Sequence, residues 1–258
     1  MNDLSPSSVS PALLADADRL LLAPSDLDHR KLSQVLAAIH ARDVDFADLY
    51  FQHARFESWN LEEGIVKSGS FNIDRGVGVR AVSGDKQAYA YSDDISLAAL
   101  EEAASAVRAI GRQGQSASAP LDRHGAAREL YRLEDPVSGL SESDKVALLT
   151  KLERKARDRD PRVVQVMASL TGEHETILIA RSDGMVVADV RPLVRLSLTL
   201  IVEENGRREQ GFAGGGGRFG YAYFDDAKLD EYARQAVDQA RRKISSRPYW
   251  RNRRSITT

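Results

Sequence analysis

The chain has 258 residues, 42% of them hydrophobic and 29% charged, and 36 Lys+Arg against 38 Asp+Glu give a formal net charge of −2. This is the composition of a globular chain with room for one large or two small domains, and its near-neutral balance points to neither nucleic acid nor a membrane surface. The absence of cysteine excludes disulfides, thiolate metal sites and cysteine nucleophiles, and no apolar run approaches the roughly 20 residues of a membrane span.

The start carries Asp3, Asp16 and Asp18 and no basic region, so it does not read as a signal peptide. Residues 1–25 read as a loose terminal segment in which Ala12 to Leu22 form a short helix ended near Pro24. Asp26 or Asp28 then caps a helix through Leu32, Val35, Leu36 and Ile39, a spacing that puts the apolar residues on one face. Strands follow at Asp48–Arg55, at Ser58–Lys67 with a bulge at Gly64, at Gly76–Val82 and, past a Ser83-Gly84-Asp85-Lys86 turn, at Gln87–Tyr91. Ser96 caps a helix that runs to Ile110. The Gly/Ser/Gln/Ala-rich stretch Gly111–Gly125 reads as a linker.

Beyond it the pattern begins again. Ser141-Glu142-Ser143-Asp144 supplies a cap and an acidic first turn for a helix through Val146, Leu149 and Leu152, ending near Asp160-Pro161. Strands are expected at Val163–Leu170, Glu175–Arg181, Val186–Val190, Leu193–Glu203 and Arg208–Ala213, with turns at Ser182-Asp183-Gly184 and Asn205-Gly206, and a helix from Asp226 to about Arg242. The order predicts an α+β fold, largely antiparallel sheets flanked by helices, in two strand-rich halves of similar style. The domain plan is a loose segment at 1–25, α+β domains at 26–110 and 131–242, a linker at 111–130 and a basic tail at 243–258.

Chemistry is sparse. His29, His40, His53, His124 and His174 include no i, i+4 pair, and His174-Glu175 opens like a zinc-protease helix but continues as a strand, so no metal site is assigned. No Ser sits in a Gly-x-Ser-x-Gly elbow, and no catalytic residue is assigned. Paired carboxylates such as Glu62-Glu63 and Asp225-Asp226 fall at turns or strand edges, where a solvated face accounts for them. Gly76-Val77-Gly78-Val79-Arg80-Ala81 stays in a strand where a dinucleotide motif would open a helix. The run Gly214-Gly215-Gly216-Gly217-Arg218 lacks the Lys-Ser/Thr of a phosphate loop; it is read as a loop facing a peptide or partner, with phosphate binding and a plain mobile turn as alternatives. The basic end, Arg241 to Arg254 with Tyr249 and Trp250 interleaved, is read as a solvated end in preference to a nucleic-acid tail.

Several long segments carry a resemblance. Asp48-Leu49-Tyr50-Phe51-Gln52, Glu57-Ser58-Trp59, Glu62 to Gly69, Asn72 to Ala81, Ser182-Asp183-Gly184, Ala188 to Arg195 and Gly214 to Tyr221 follow one another as in the N-terminal part of the TldD branch of the TldD/PmbA metalloprotease family. The chain resembles that family from about Asp26 to about Arg242. The resemblance implies a cytoplasmic bacterial zinc protease that pairs with a TldE/PmbA-like subunit around a chamber for unfolded or extended peptides, with peptide maturation and antitoxin degradation among its roles. Links to DNA gyrase inhibition and to a carbon-storage regulator travel with the family name.

The family's metal site uses a His-Glu-x-x-x-His helix and a cysteine in its C-terminal half, and this chain has neither. No catalytic or metal residue carries over, and zinc belongs to the full-length family and not to this chain. The expectation is therefore a truncated or split family member, non-catalytic alone, whose peptide contacts fall at Gly214 to Arg218. Rival readings are an interaction module that pairs with the TldE-like subunit, a decayed gene product, and an independent enzyme with a scattered triad.

Overall fold

The computed structural model describes residues 11–40, 44–108, 121, 123–124 and 134–246. The basic tail beyond Ser246, and all of the expected linker except Leu121, Arg123 and His124, lie outside the described residues. Helices α1 (Pro11–Ala17, continued by tighter and wider turns to Ser25) and α2 (His29–His40) precede a hairpin of β1 (Phe46–Glu62) and β2 (Ile65–Ser83), then β3 (Lys86–Ser92) and α3 (Leu97–Arg108). After β4 (Arg123–His124) come α4 (Pro136–Gly139), α5 (Glu142–Arg159), β5 (Val163–Arg181), β6 (Met185–Glu204), β7 (Arg207–Gly217) and α6 (Asp226–Ser245). The fold is α+β, and its sheet is antiparallel apart from β4, which runs parallel to β6.

The chain forms two compact units, each drawn from three stretches. Unit 1 takes residues up to Arg55, then Asn72–Leu133 and His174–Arg191; unit 2 takes Phe56–Phe71, Glu134–Glu173 and the rest from Pro192. These are not the consecutive blocks 26–110 and 131–242 of the sequence reading. Strand breaks were expected at Phe56-Glu57, Thr171–His174 and Arg191-Pro192, but β1, β5 and β6 run through all three. Pro192, which has no N–H to give to a ladder, falls where β6 has left its register with β4 at Val186 and has yet to begin that with β7 at Val194.

In unit 1 the strand order is β3-β2-β1-β5-β6-β4. One sheet face alternates Ala47, Leu49 and Phe51 with Val77, Val79 and Ala81, and it is closed by Leu32, Val35, Leu36 and Ile39 of α2 and by Leu100, Ala104 and Val107 of α3. The 3.6-residue spacing of α2 is what delivers that stripe. Ser96 caps α3 as expected, its Oγ accepting from the Ala99 N–H at 3.2 Å. Leu121, inside the expected linker, is buried in this core.

In unit 2 the order is β2-β1-β5-β6-β7. Val166, Leu170, Leu196, Leu198 and Leu200 pack under Leu149 and Leu152 of α5 and Leu229, Ala233 and Val237 of α6. Ser141 caps α5 by accepting from the Asp144 N–H at 3.2 Å, and Asp225 caps α6 by accepting from Lys228 N–H at 2.9 Å. Asn205 and Gly206, at φ 52° and 74°, make the two-residue turn between β6 and β7. The same geometry recurs at Glu63 and Gly64, φ 53° and 73°, so Gly64 is a hairpin turn and not the bulge expected within Ser58–Lys67.

Candidate functional site

Gly214 to Gly217 lie in β7 and not in a loop. They pair antiparallel with β6, Gly214 opposite Ser197, Gly215 opposite Leu196, Gly216 opposite Arg195 and Gly217 opposite Val194. Each glycine has a neighbour within its own chain that an added side chain would have to displace. A Cβ on Gly214 would stand 2.5 Å from Leu196 O, and one on Gly215 2.6 Å from the Tyr232 hydroxyl of α6. A Cβ on Gly216 would overlap Val194 O, and one on Gly217 the Phe219 ring. The run is what lets β7 press against β6 and α6, a packing reason that composition alone does not reveal.

The outer edge of β7 is partly covered. Phe212 N–H donates to Gln239 Oε1 at 2.6 Å and Lys243 Nζ donates to Gln210 O at 2.7 Å, so α6 closes the edge at 210–212. Among the described residues no strand pairs with that edge. Arg218 donates from Nη1 to Pro192 O at 3.4 Å, at the end of the glycine run. Gly216 and Gly217 border a cavity of about 520 Å³ whose walls include Phe56, Glu57, Thr171, Gly172 and Arg195; Gly214, Gly215 and Arg218 are not among its lining residues.

A buried polar cluster stands in that wall. Glu57 Oε2 accepts from Lys145 Nζ at 2.8 Å and from the Trp59 indole N–H at 3.2 Å, while Oε1 accepts from the Tyr221 hydroxyl at 2.8 Å. Lys145 also donates to Val137 O at 2.7 Å, and the side chains of Lys145 and Glu57 are only 3% and 5% exposed. Burial, and then the hydrogen bond to the Glu57 carboxylate, push the Tyr221 phenol well above its ordinary value. Gly172 makes the meeting possible, since a Cβ there would overlap the Tyr221 hydroxyl. Every charge is answered within the cluster, so it holds β1, α5 and the turn at Tyr221 together and supplies neither an exposed nucleophile nor an open base. The signal was present in the sequence: Lys145 stands at i, i+4 and i, i+7 from Leu149 and Leu152, a cation on an apolar stripe that needs a buried anion.

The histidines are spread over four elements, His29 and His40 at the two ends of α2, His53 in β1, His124 in β4 and His174 in β5. His29 meets Asp18 at 2.9 Å, which raises its pKa through that hydrogen bond, and the ring of His174 accepts from Arg55 at Nδ1 at 3.1 Å. His40 and His53 are pushed down by burial, and the Nδ1 atoms of both find no partner among the described residues. Among the described residues no group of three or more His, Cys, Asp or Glu side chains could hold a metal ion. The described residues thus gather no set of zinc ligands.

Residues 47–111 match the family model described as PmbA/TldA metallopeptidase domain 1, and residues 135–244 match that of the PmbA/TldA metallopeptidase central domain. A protein of Haemophilus influenzae named metalloprotease TldD homolog is 44% identical over 241 residues, which cover 91% of this chain and 50% of that protein. The homolog of the same name from Buchnera aphidicola subsp. Schizaphis graminum is 36% identical over 233 residues, 88% of this chain and 48% of that protein. The chain spans about half the length of the curated relatives it matches. Among solved structures, TldE from Thermococcus kodakarensis superposes with a TM-score of 0.62 at 14% identity, over 82% of this chain and 47% of that one. A Thermotoga maritima protein described as a candidate modulator of a DNA gyrase gives 0.61 at 16% identity, over 82% and 47%. At such identities the structural likeness speaks for the fold alone. Two family models matched in order, and 44% identity to a TldD homolog along 91% of the chain, place it in the TldD/PmbA metallopeptidase family.

Proposed function

We propose that this chain is the N-terminal, non-catalytic portion of a TldD-like zinc metalloprotease that acts on unfolded or extended peptides together with a TldE/PmbA-like subunit in the cytoplasm, in peptide maturation or antitoxin degradation. The observation that carries the reading is the 44% identity to a TldD homolog of about twice the matched length. No helix among the described residues is long and apolar enough to cross a membrane. The peptide would meet the chain by adding as a strand to the part of the β7 edge past Phe212, where Gly214 to Arg218 lie, because main-chain pairing gives affinity without demanding a sequence.

A second reading is an interaction module that pairs with the TldE-like subunit without a catalytic half. It is favoured by the unit 2 residues Ile65 and Phe71 of β2, which are 58% and 55% exposed and offer apolar surface to a partner.

The test is zinc content and cleavage of an unstructured peptide by the purified chain, alone and mixed with a TldE-like subunit, with partner capture measured beside it. Neither zinc nor cleavage alone, together with capture of the subunit, is the expected result. Stoichiometric zinc with chelator-sensitive cleavage by the chain alone would overturn the non-catalytic reading.

A further inference from the structure

The unit 1 sheet has a second face, opposite the α2–α3 layer. It carries Phe46 and Tyr50 of β1, Gly78 and Arg80 of β2, and Arg181 of β5, all half-buried and alternating with the core residues. Two cavities open on it, about 690 Å³ and 360 Å³, and both have Tyr50 and Gly78 in their walls.

Gly78 is unlike the other strand glycines. A Cβ on Gly76 would stand 2.7 Å from Ser92 O, and those of β7 are crowded by their own chain. At Gly78 φ is not positive, and a Cβ would find only Tyr50 O, 4.0 Å away. Packing does not require a glycine here, and a glycine in a strand costs conformational entropy. The missing side chain leaves a shallow trough in the sheet face where the linings of the two cavities share Tyr50 and Gly78.

The larger cavity has a defined chemistry. The guanidinium carbons of Arg80 and Arg181 lie 5.6 Å and 5.2 Å from the centroid of the Phe46 ring. Arg80 is oriented by Asp48, to which its Nε donates at 2.8 Å and its Nη2 donates as well. Arg181 is oriented by Asp183, to which Nη2 donates at 2.7 Å. A guanidinium has five N–H groups, so one carboxylate exhausts neither. The remaining wall is mostly Tyr50, Tyr89 and Ile179. Two pre-oriented, partly desolvated guanidiniums, with Asp48 as the carboxylate in the same wall, keep unused N–H groups of the kind that bind a planar carboxylate.

We infer that this trough docks an extended peptide, with an Asp or Glu side chain of the peptide seated at Arg80 and Arg181 and its backbone crossing over Gly78. The choice of a peptide as occupant rests on the functional reading above; the site itself is separate from the β7 edge and needs no catalytic half.

The experiment uses the full chain and a fluorescein-labelled Gly/Ser peptide with a central Glu-Ala-Glu, read by fluorescence anisotropy beside its Gln-Ala-Gln counterpart. The acidic peptide is expected to bind at least about tenfold more tightly than the neutral one. Arg181→Gln is expected to erase that difference, and Gly78→Val, which fills the trough without touching a charge, to abolish binding. Thermal melts identify variants that fold as the parent does, and Gly78→Ala takes the place of Gly78→Val if the latter does not. No binding, equal binding of the two peptides, or full binding by Arg181→Gln would each overturn the inference. Competition by free glutarate as effective as that by unlabelled peptide would also overturn it, by assigning the cavity to small carboxylates. Failure here leaves the zinc, cleavage and partner-capture outcomes unaffected, so the two readings fall separately.

Discussion

The glycines of β7 and the glycine of β2 at position 78 interrupt strands for opposite reasons. In unit 2 every glycine of the run is crowded by a neighbour, Leu196 O, Tyr232, Val194 O or Phe219, so packing within the chain accounts for it. In unit 1 Gly78 faces space, and Arg80 and Arg181 are held in place around a cavity that no described residue fills. A run of glycines in a sequence draws attention to itself, yet here the run is packing and the isolated glycine is the one without an internal reason. Density of glycine is a weaker indicator of a ligand than what a side chain would meet at each position.

The contrast between a crowded region and an open one can be broken by mutation. The largest effect is expected in the crowded region: Glu57→Gln leaves the Lys145 ammonium buried without a counter-charge and should cost about 3–5 kcal/mol. Pairing it with Lys145→Met should recover most of that loss, measured as urea midpoints of the single and double variants. Next, Gly211→Ala puts a Cβ into Ala236 O of α6 and should cost roughly 3 kcal/mol. Gly78→Ala should instead be neutral or stabilise by up to about 1 kcal/mol; equal losses at the two positions would dissolve the comparison.

A smaller effect is expected at Asp160, whose carboxylate accepts from Arg162 at 3.0 Å and 2.9 Å and from Arg241 at 2.7 Å. Arg162 foremost, and Arg241 with it, hold the carboxyl far below the usual carboxylate range. A lowered folded-state pKa means that the contribution is complete above the unfolded value near pH 4 and is lost as pH falls towards the folded one. Asp160→Asn should therefore cost about 2 kcal/mol at neutral pH and flatten the acid limb of a stability–pH curve. The smallest expected loss is about 1 kcal/mol for Asp225→Ala, which removes the N-cap of α6, visible as a small drop in the melting temperature.

Local chemistry made the helices and turns legible. Ser96 and Ser141 cap where their sequence places them, the Leu32/Val35/Leu36/Ile39 stripe is buried, and Asn205-Gly206 turns the chain between β6 and β7. Strand continuity was not legible, because Pro192 and Gly172 are breakers only when a ladder bond or a side chain is needed there, and cross-strand neighbours decide that. The same holds for the cluster around Glu57, whose partners Lys145 and Tyr221 stand 88 and 164 residues away. The glycine run of β7 was read as a loop for want of the same information: its meaning lies in β6 and α6, not in its neighbours along the chain.

Four of the five crossings between the units, at Arg55/Phe56, Phe71/Asn72, Glu173/His174 and Arg191/Pro192, fall inside β1, β2, β5 and β6. The units therefore have their principal strands in common. A protease that nicks any one of these strands damages both, and no single cut can release either unit whole. Genetic rearrangement meets the same obstacle: a segment copied or lost along the sequence takes strand halves from each unit, so the pair is inherited as a block even though family models divide the sequence consecutively. Heat should likewise find no boundary at which to stop, and the chain is expected to melt in one step.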